Sequence, residues 1–311
     1  MVKRRGLRTR RPRSVESKLW VPCLSLGLLA GCVVNPVEID DIVDRHNFYH
    51  NEVNLTEAQL ARNLDEIDEQ FSEPRTGAKV MLSLETAEAS ISRANDYEAV
   101  WRGARACYWL SMNHPDIDQR ERYALRGYSM ARFAARYMSS RVEPYYYAAL
   151  NTGAFCSLKH ERGYIPNSKW LDKAKYYGEM AGGIAPSFDY GGPHRFLGKL
   201  IVETSGTMTH ELGRFEEGLE HLKKAVTLGP EYAENHLYLA EAYLENDDYG
   251  SARAEIDAVL GSSIPPDRSV EHTEWLDAAT DLLAQLPADS SGSSETPATV
   301  DVSGFEKRAE E

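Results

Sequence analysis

The chain has 311 residues, of which 42% are hydrophobic and 27% are charged, and its formal net charge is −13. This length and apolar content suffice for one large or two small folded domains and exclude an intrinsically disordered protein. The excess of acidic residues argues against a nucleic-acid-binding protein, because the phosphates would be repelled.

The first 31 residues have the composition of a secretory signal. Residues 1–18 hold eight Lys or Arg and one Glu, and the apolar run "LWVPCLSLGLLA" follows from Leu19 to Ala30. Twelve residues are too few to span a bilayer but suit the hydrophobic region of a signal peptide. We therefore expect residues 1–31 to be removed. Since eight basic residues and one acidic residue leave with them, the net charge changes from −13 to −20.

The segment "LAGC", Leu29 to Cys32, ends the apolar run. It resembles the lipobox of bacterial lipoproteins, and that resemblance implies that Cys32 becomes the first mature residue and carries the lipid. A thiolate is the nucleophile that such a transfer needs. The alternatives are an ordinary signal peptide cleaved nearby and an N-terminal membrane anchor. Val33 stands where an Asp would favour the inner membrane, so we expect a periplasm-facing lipoprotein of the outer rather than the inner membrane.

Residues 32–54 read as a polar tether. Within it His46 and His50 have the i, i+4 spacing of a metal-binding pair, but no further ligand lies nearby. The sequence also lacks Cys-x-x-Cys, His-Glu-x-x-His and clustered cysteines with histidines. We expect neither a metal site nor a cofactor.

Two cysteines remain once Cys23 leaves with the signal and Cys32 is modified. Cys107 and Cys156 lie in aromatic-rich stretches. In an oxidising compartment they could form a disulfide. The alternative is two small buried thiols.

Residues 55–286 show helical periodicity almost throughout. In "YALRGYSMARFAARYM" and "FEEGLEHLKKAV", small and apolar residues recur at the spacing that places them on one face of a helix. Alternating runs typical of strands are essentially absent. The fold class predicted is all-α, with residues 55–286 as the folded domain. Residues 287–311 are rich in Ser, Pro and acid and are expected to form a disordered tail.

A repeat is present within these helices. Small residues pair at a separation of seven, and the pairs are Ala87/Ala94, Gly127/Ala134, Ala174/Ala181, Gly218/Ala225 and, more weakly, Ala252/Val259. Small side chains two turns apart on one face let two helices pack closely, as the hairpins of a helical solenoid require. The intervals between successive pairs are 40, 47, 44 and 34 residues. We predict an α-solenoid of about four to five hairpins.

The last interval equals the period of the tetratricopeptide repeat. The segment "ENHLYLAEAYLENDDYGSARAEIDAVLGSSIPP" is similar to such a repeat, with Leu239, Ala240 and Ala252 in the expected places. Pro186 and Pro230 each follow a small helical residue by five positions, where they are expected to separate one hairpin from the next.

Three segments together resemble a known family. They are "VEPYYYAALNTGAF", "AGGIAPSFDYGGPHRFLGKL" and "GRFEEGLEHLKKAVTLGPEYAENHLYLAEAYL". They are similar to the T component of tripartite ATP-independent periplasmic (TRAP) transporters, over roughly residues 87–260. The chain departs from the family after Leu200, where "IVETSGTMTHEL" replaces a proline-containing loop.

This resemblance implies a lipoprotein built from tetratricopeptide-like hairpins. It implies a partner, the periplasmic solute-binding protein of a TRAP transporter, and a pore or groove that takes a small organic or apolar solute. The membrane contact is then the lipid anchor. Nucleic acid is not an expected partner, and association into a homo-oligomer is open.

The same repeat pattern orients the segment "DYGGPHRFLGKL". Leu197 and Gly198 match buried positions of a repeat's first helix, so Arg195 and Lys199, which are out of phase with them, are expected to face the concave groove. Gly191 and Gly192 would let the backbone turn sharply beside it.

Arg195 has two interpretations. A guanidinium in the groove could bind a carboxylate of a solute in bidentate fashion. Alternatively, Arg195 pairs with Asp189 or another acid and fixes the junction, and an exposed pair of this kind would be worth only about 0–1 kcal/mol.

Tyrosines 145–147 follow one another on a predicted helix. Because Tyr145, Tyr146 and Tyr147 point in three directions around it, at least one should face the groove and the others the core.

Three functions compete on the sequence alone. The first is an accessory lipoprotein of solute import, and the alternative is an outer-membrane scaffold lipoprotein that assembles an envelope complex. An enzyme has little support, because His194 and His210 lack an evident nucleophile partner and no Gly-rich phosphate loop exists. We expect no enzymatic activity.

Overall fold

The computed structural model describes residues 55–91, 97–206 and 211–287. The predicted signal peptide, the lipidation site Cys32, the tether and the tail after residue 287 lie outside the described residues.

Eleven α-helices and no strand are found in the described ranges, which confirms the all-α prediction. In chain order the helices are α1 Glu57–Phe71, α2 Gly77–Ala89, α3 Tyr97–Asn113, α4 Ile117–Tyr137, α5 Val142–Glu161, α6 Ser168–Ile184, α7 Phe188–Thr204, α8 Phe215–Leu228, α9 Ala233–Glu245, α10 Tyr249–Leu260 and α11 Ser269–Leu283. None of these helices is both long and apolar enough to cross a bilayer.

The helices pack as successive antiparallel pairs. The first ten form five consecutive hairpins, and α11 packs on the last of them. Pro186 lies between α6 and α7, and Pro230 between α8 and α9, so each proline separates two hairpins. The α-solenoid predicted from the spacing of small residues is confirmed.

Polar side chains begin several of these helices. Thr56 starts α1 with a capping box in which its side chain and that of Gln59 bond each other's backbone N–H. Asp116 accepts from two backbone N–H groups at the start of α4, and Asn167 from one at the start of α6. Such caps are each worth about 1 kcal/mol, so the sequence defines these boundaries locally.

Close packing within the fourth hairpin depends on two glycines. A Cβ added to Gly198 would lie 2.6 Å from Leu222 Cγ, and one added to Gly218 would lie 2.8 Å from Val202 Cγ2. The two backbones therefore cross without room for side chains at these positions. Gly218 and its partner Ala225 are both buried, as predicted.

The other described members of the predicted pairs are also buried, on α4, α6 and α10. The first pair is the exception. Ala87 is buried in the last turn of α2, but that helix ends at Ala89, and Ala94 lies outside the described residues.

The two ends of the solenoid meet. The Arg75 guanidinium, in the turn between α1 and α2, donates to the Asp267 carbonyl oxygen and, over 3.1 Å, to the Glu271 carboxylate at the start of α11. Ser269 Oγ donates to Glu73 Oε2 over 2.9 Å. These contacts join the first hairpin to the last helix, and the superhelix closes on itself.

Cys107 and Cys156 are buried, free thiols. The sequence allowed a disulfide between Cys107 and Cys156, but the structure does not contain it. The two residues are instead the small buried thiols of the alternative interpretation. Burial raises the pKa of both thiols above their usual range, which makes them poor nucleophiles.

Candidate functional site

The closed solenoid surrounds a cavity of about 180 Å³. Its helical lining residues all lie on odd-numbered helices, the first helix of each hairpin and α11, so these helices form the concave surface. The lining comprises Phe71, Arg75, Arg105, Tyr108, Trp109, Met112, Asn113, Tyr146, Tyr147, Leu150, Asp189, Gly192, Arg195, Phe196, Lys199, Tyr232, Glu234, Tyr238, Arg268, Glu271, Glu274 and Trp275.

A tight left-handed turn at the start of α7 positions part of this lining. Asp189, Tyr190 and Gly191 have φ values of 49°, 58° and 85°, and regular helix resumes at Gly192 and Pro193. Only glycine adopts such values without steric cost, so Asp189 and Tyr190 must be held there by their surroundings. Gly192 approaches Tyr146 so closely that an added Cβ would lie 2.4 Å from the tyrosine oxygen.

Asn235 holds this turn in place from α9. Its side-chain nitrogen lies 2.8 Å from the Tyr190 carbonyl oxygen and within 3.0 Å of those of Ala225 and Gly229. Its side-chain oxygen accepts from Arg195 Nη1 over 3.0 Å. The fully buried amide thereby offsets the strain of two non-glycine residues in the left-handed region.

Arg195 lies at the centre of a buried charge network. Its Nη2 is 2.8 Å from Asp189 Oδ2, and its Nε is 2.8 Å from Glu234 Oε2. The guanidinium also lies over the Tyr232 ring, 4.7 Å from the centroid. Arg195 is only 5% exposed. The pairing with Asp189 considered above is therefore present, but it is a buried pair and not an exposed one.

Asp189 is the shared anion of this network. Besides Arg195 it accepts from Tyr146 Oη over 2.6 Å and from Arg268 Nη2 over 3.0 Å. Burial alone would raise its carboxyl pKa, but the Arg268 and Arg195 charges outweigh burial and lower that pKa. At neutral pH Asp189 is ionised, and its two carboxylate oxygens accept hydrogen bonds from Tyr146, Arg195 and Arg268.

Lys199 forms a second charged cluster one turn further along α7. Its ammonium pairs with Glu241 and lies 3.3 Å from Glu203 Oε1, and it sits 4.8 Å from the centroid of the Tyr238 ring. Lys199 is 6% exposed, and its pairing with the Glu241 carboxylate, together with its contact with Glu203, stabilises the buried charge.

Arg105 on α3 is a further cation of the cavity lining. Its Nη2 donates to Asp68 Oδ1 over 2.7 Å, and that carboxylate also accepts from Arg102. The guanidinium lies over the ring of Phe71, 4.1 Å from the centroid. Burial lowers the pKa of Arg105, in contrast to Arg195, because a single shared carboxylate compensates it less.

The three successive tyrosines divide between two environments. Tyr146 and Tyr147 line the cavity, whereas Tyr145 packs against Tyr177 of α6 with 6.3 Å between ring centroids. Burial raises the pKa of Tyr147 to about 12. The Tyr147 ring stacks on Trp101, with the two planes 7° apart.

Most of the predicted groove residues come together in this cavity. Arg195, Lys199, Gly192, Tyr146 and Tyr147 all line it. Whether any of them contacts a ligand or partner stays a prediction.

Gly191 and Tyr145 are placed beside the cavity rather than in its lining. Gly191 is part of the left-handed turn and packs against Ala225. A Cβ added to Gly191 would lie 3.1 Å from Ala225 Cα.

Sequence reasoning missed Arg105, Arg268 and Asn235. Asn235 carried a weak signal, as a polar residue within the apolar pattern of α9. Arg105 and Arg268 carried none, because each of them pairs with a carboxylate on another helix.

His194 does not face the cavity. Its Nδ1 is 2.9 Å from Nδ1 of His221 on α8, and the two rings are nearly parallel. Burial lowers the pKa of His194 to about 4, so both histidines are neutral at pH 7 and one donates to the other. Within the described ranges no group of three His, Cys, Asp or Glu side chains is arranged to hold a metal ion.

Residues 210–262 match the tetratricopeptide repeat family. Among solved structures, a thermophilic TPR protein from Thermus thermophilus is 16% identical, with a TM-score of 0.49, over 72% of this chain and 99% of that chain. Yeast Tom70 is 12% identical, with a TM-score of 0.28, over 77% of this chain and 67% of that chain. No curated protein matches the sequence.

The repeat match and the stacked hairpins define the class of protein. The chain is a tetratricopeptide-like helical-repeat protein, an architecture with an extended concave surface. Residues 210–262 contain α8, α9 and α10, the region where sequence similarity to the repeat was strongest.

Proposed function

We propose that this protein is a lipid-anchored, periplasm-facing accessory of TRAP-type solute import that binds the solute-binding subunit. The proposal rests on the lipobox-like segment ending at Cys32 and on the three segments that resemble the T component of those transporters. The helical-repeat class agrees with a protein whose partner is another protein. The outer membrane remains the favoured location.

The observation that carries the proposal is the cavity inside the closed solenoid. A scaffold that only joins proteins needs a surface, whereas this fold forms a cavity of about 180 Å³ lined by aromatic rings and charged groups. A concave site of this kind suits a protein that handles a small molecule together with its partner. It therefore favours the import accessory over the alternative, an outer-membrane scaffold for assembling an envelope complex.

Lipidation is tested by labelling the protein with radioactive palmitate in a bacterial host that processes lipoproteins. The wild-type protein should take up label and fractionate with membranes. A Cys32→Ser variant should do neither, and a Cys23→Ser variant, altered within the signal, serves as the control. Labelling of the Cys32→Ser variant would overturn the anchor.

The partner is tested by purifying the lipidated protein from its own membranes after mild cross-linking. We expect to recover a periplasmic solute-binding protein. We also expect the import that depends on that solute-binding protein to be lost when the gene for the present chain is deleted. Recovery of envelope-assembly proteins instead would favour the scaffold, and recovery of a second copy alone would show a homo-oligomer without an import role.

A further inference from the structure

We propose that the cavity binds a small monocarboxylate with an aromatic or other apolar body, and that Arg105 and Tyr147 bind its carboxylate. This inference deepens the proposed function, since it names the ligand class of the cavity on which that function rests. It is carried by the hydrogen-bonding groups of the lining that the protein leaves unused.

Arg105 is the cation of the lining with the fewest partners. Its Nη2 donates to Asp68, but its Nε is buried without an acceptor, and its Nη1 has none among the described residues. Asp68 is also shared with Arg102. A guanidinium offers two parallel N–H groups to a carboxylate, so a ligand acid would supply what the protein does not.

Two tyrosine hydroxyls add to this donor excess. Neither Tyr108 Oη nor Tyr147 Oη has a hydrogen-bond partner in the described part of the chain, although both residues line the cavity. Arg105 and Tyr147 both contact Trp101, because the guanidinium lies 5.3 Å from the centroid of the indole ring and the Tyr147 ring stacks on it. Tyr147 is therefore placed to donate to the same anion as Arg105.

The acidic groups of the lining, in contrast, already have partners. Asp189 is bound by Arg195, Arg268 and Tyr146, and Glu234 accepts from Arg195 and Tyr238. Glu271 pairs with Arg75. What the cavity lacks is an acceptor, so an anion completes its hydrogen bonds and a cation would compete with arginines already in place.

The remaining walls determine the rest of the ligand. They are apolar or aromatic and include Trp109, Met112, Leu150, Phe196 and Trp275. A dry cavity of about 150 Å³ holds a benzene molecule, so about 180 Å³ suits one ring with a short acidic side chain. A second carboxylate would lie against apolar walls or paired acids, which favours a monoacid over a diacid.

The test is calorimetric titration of the purified full chain with three probes that share a phenyl ring on a short polar side chain. They are phenylacetate, its neutral amide phenylacetamide and the cation phenethylamine. We expect phenylacetate to bind at least ten times more tightly than the amide, and the amine to bind not at all. Equal affinity for acid and amide, or no binding of the acid, would overturn the proposal.

Three variants separate the site from general destabilisation. Arg105→Met keeps the side-chain bulk and should weaken phenylacetate binding at least tenfold, and Tyr147→Phe should weaken it about threefold to tenfold. Arg126→Met is the control, because Arg126 pairs with Glu88 and does not line the cavity. Its affinity for phenylacetate should equal that of wild type. Unchanged affinity in both Arg105→Met and Tyr147→Phe would place the acid elsewhere.

The outcome is distinct from that of the proposed function. If phenylacetate fails to bind while the solute-binding subunit is still recovered from membranes, only the ligand class is wrong. If the subunit is not recovered while the acid binds as expected, the import role fails and the acid site stands.

Discussion

At the residue scale, burial changes how much Arg195 contributes to the stability of the fold. On the sequence, its pairing with an acid at a surface junction would have been worth about 0–1 kcal/mol. In the structure the pair is enclosed, and removal of the guanidinium leaves Asp189 and Glu234 buried with fewer compensating partners. Such uncompensated buried charge is among the largest costs a single substitution can impose.

We predict that Arg195→Met lowers the free energy of unfolding by about 3–5 kcal/mol, the usual cost of removing one partner of a buried ion pair. Urea unfolding followed by circular dichroism measures it. Arg253→Met, which breaks an exposed i, i+4 pair with Asp257, is the control and should cost about 0–1 kcal/mol. If the two variants lost equal stability, the Arg195 network would not contribute as its burial implies.

Glu203 gives a prediction about pH. Burial raises the pKa of its carboxyl to about 8, and Lys199 opposes this rise only in part because Glu241 adds a second negative charge. The unfolded carboxyl has its ordinary pKa of 4.5. Because the folded state binds this proton more tightly, the stabilising effect is full below pH 4.5 and is lost as the pH rises towards 8.

Glu203→Gln removes this titration. Relative to wild type, we expect the free energy of unfolding of the variant to increase between pH 5 and pH 8, and urea unfolding at both values measures it. Glu220→Gln, on an exposed carboxylate, should show a constant difference from wild type. A constant difference for Glu203→Gln as well would mean that its carboxyl titrates normally.

At the element scale, the fourth hairpin depends on two glycines at one helix crossing. Gly198 and Gly218 each face the other's backbone. A Cβ added to Gly198 would lie 2.9 Å from the Gly218 carbonyl oxygen, and one added to Gly218 would lie 3.0 Å from the Gly198 carbonyl oxygen. Backbone cannot move aside as a flexible side chain can, so any side chain here must separate α7 from α8.

We predict that Gly218→Leu destabilises the protein by at least about 1–3 kcal/mol through overpacking. Thermal unfolding measures the effect. Gly183→Leu on α6 is the matched control, because nothing lies within 4 Å of its Cβ position, and it should be close to neutral. Unchanged stability of Gly218→Leu would show that the two helices are further apart than the structure has them.

At the scale of the whole molecule, closure of the solenoid creates the cavity. The Arg75 side chain joins the first hairpin to the start of α11, and Arg268 from the same region reaches Asp189 on α7. Residues nearly two hundred positions apart thus complete one lining. The cavity is therefore a property of the closed form.

We predict that Arg75→Met weakens this closure, because Glu73 and Glu271 lose the cation between them. The radius of gyration measured by small-angle X-ray scattering should increase, while helical content by circular dichroism stays the same. Arg126→Met, on a half-exposed pair with Glu88, is the control and should change neither. An unchanged radius in Arg75→Met would show that other contacts suffice to close the molecule.

The sequence by itself determined the elements and their stacking. Helical periodicity and small residues two turns apart act over one or two helices, and they predicted an all-α solenoid of about four to five hairpins. It also indicated which face of α7 is concave, since the phase of a helix relative to its buried residues follows from local spacing.

Only the tertiary structure decided what the concave face contains. The hydrogen-bonding partners of Arg195 come from α5, α7 and α9, Arg105 comes from α3, and the residues that close the cavity come from both ends of the chain. No periodic pattern relates such positions, because they meet through the accumulated rotation of five hairpins rather than through contacts within one. The burial that makes Arg195 a strongly stabilising residue arises from packing between helices of different hairpins and has no local signature.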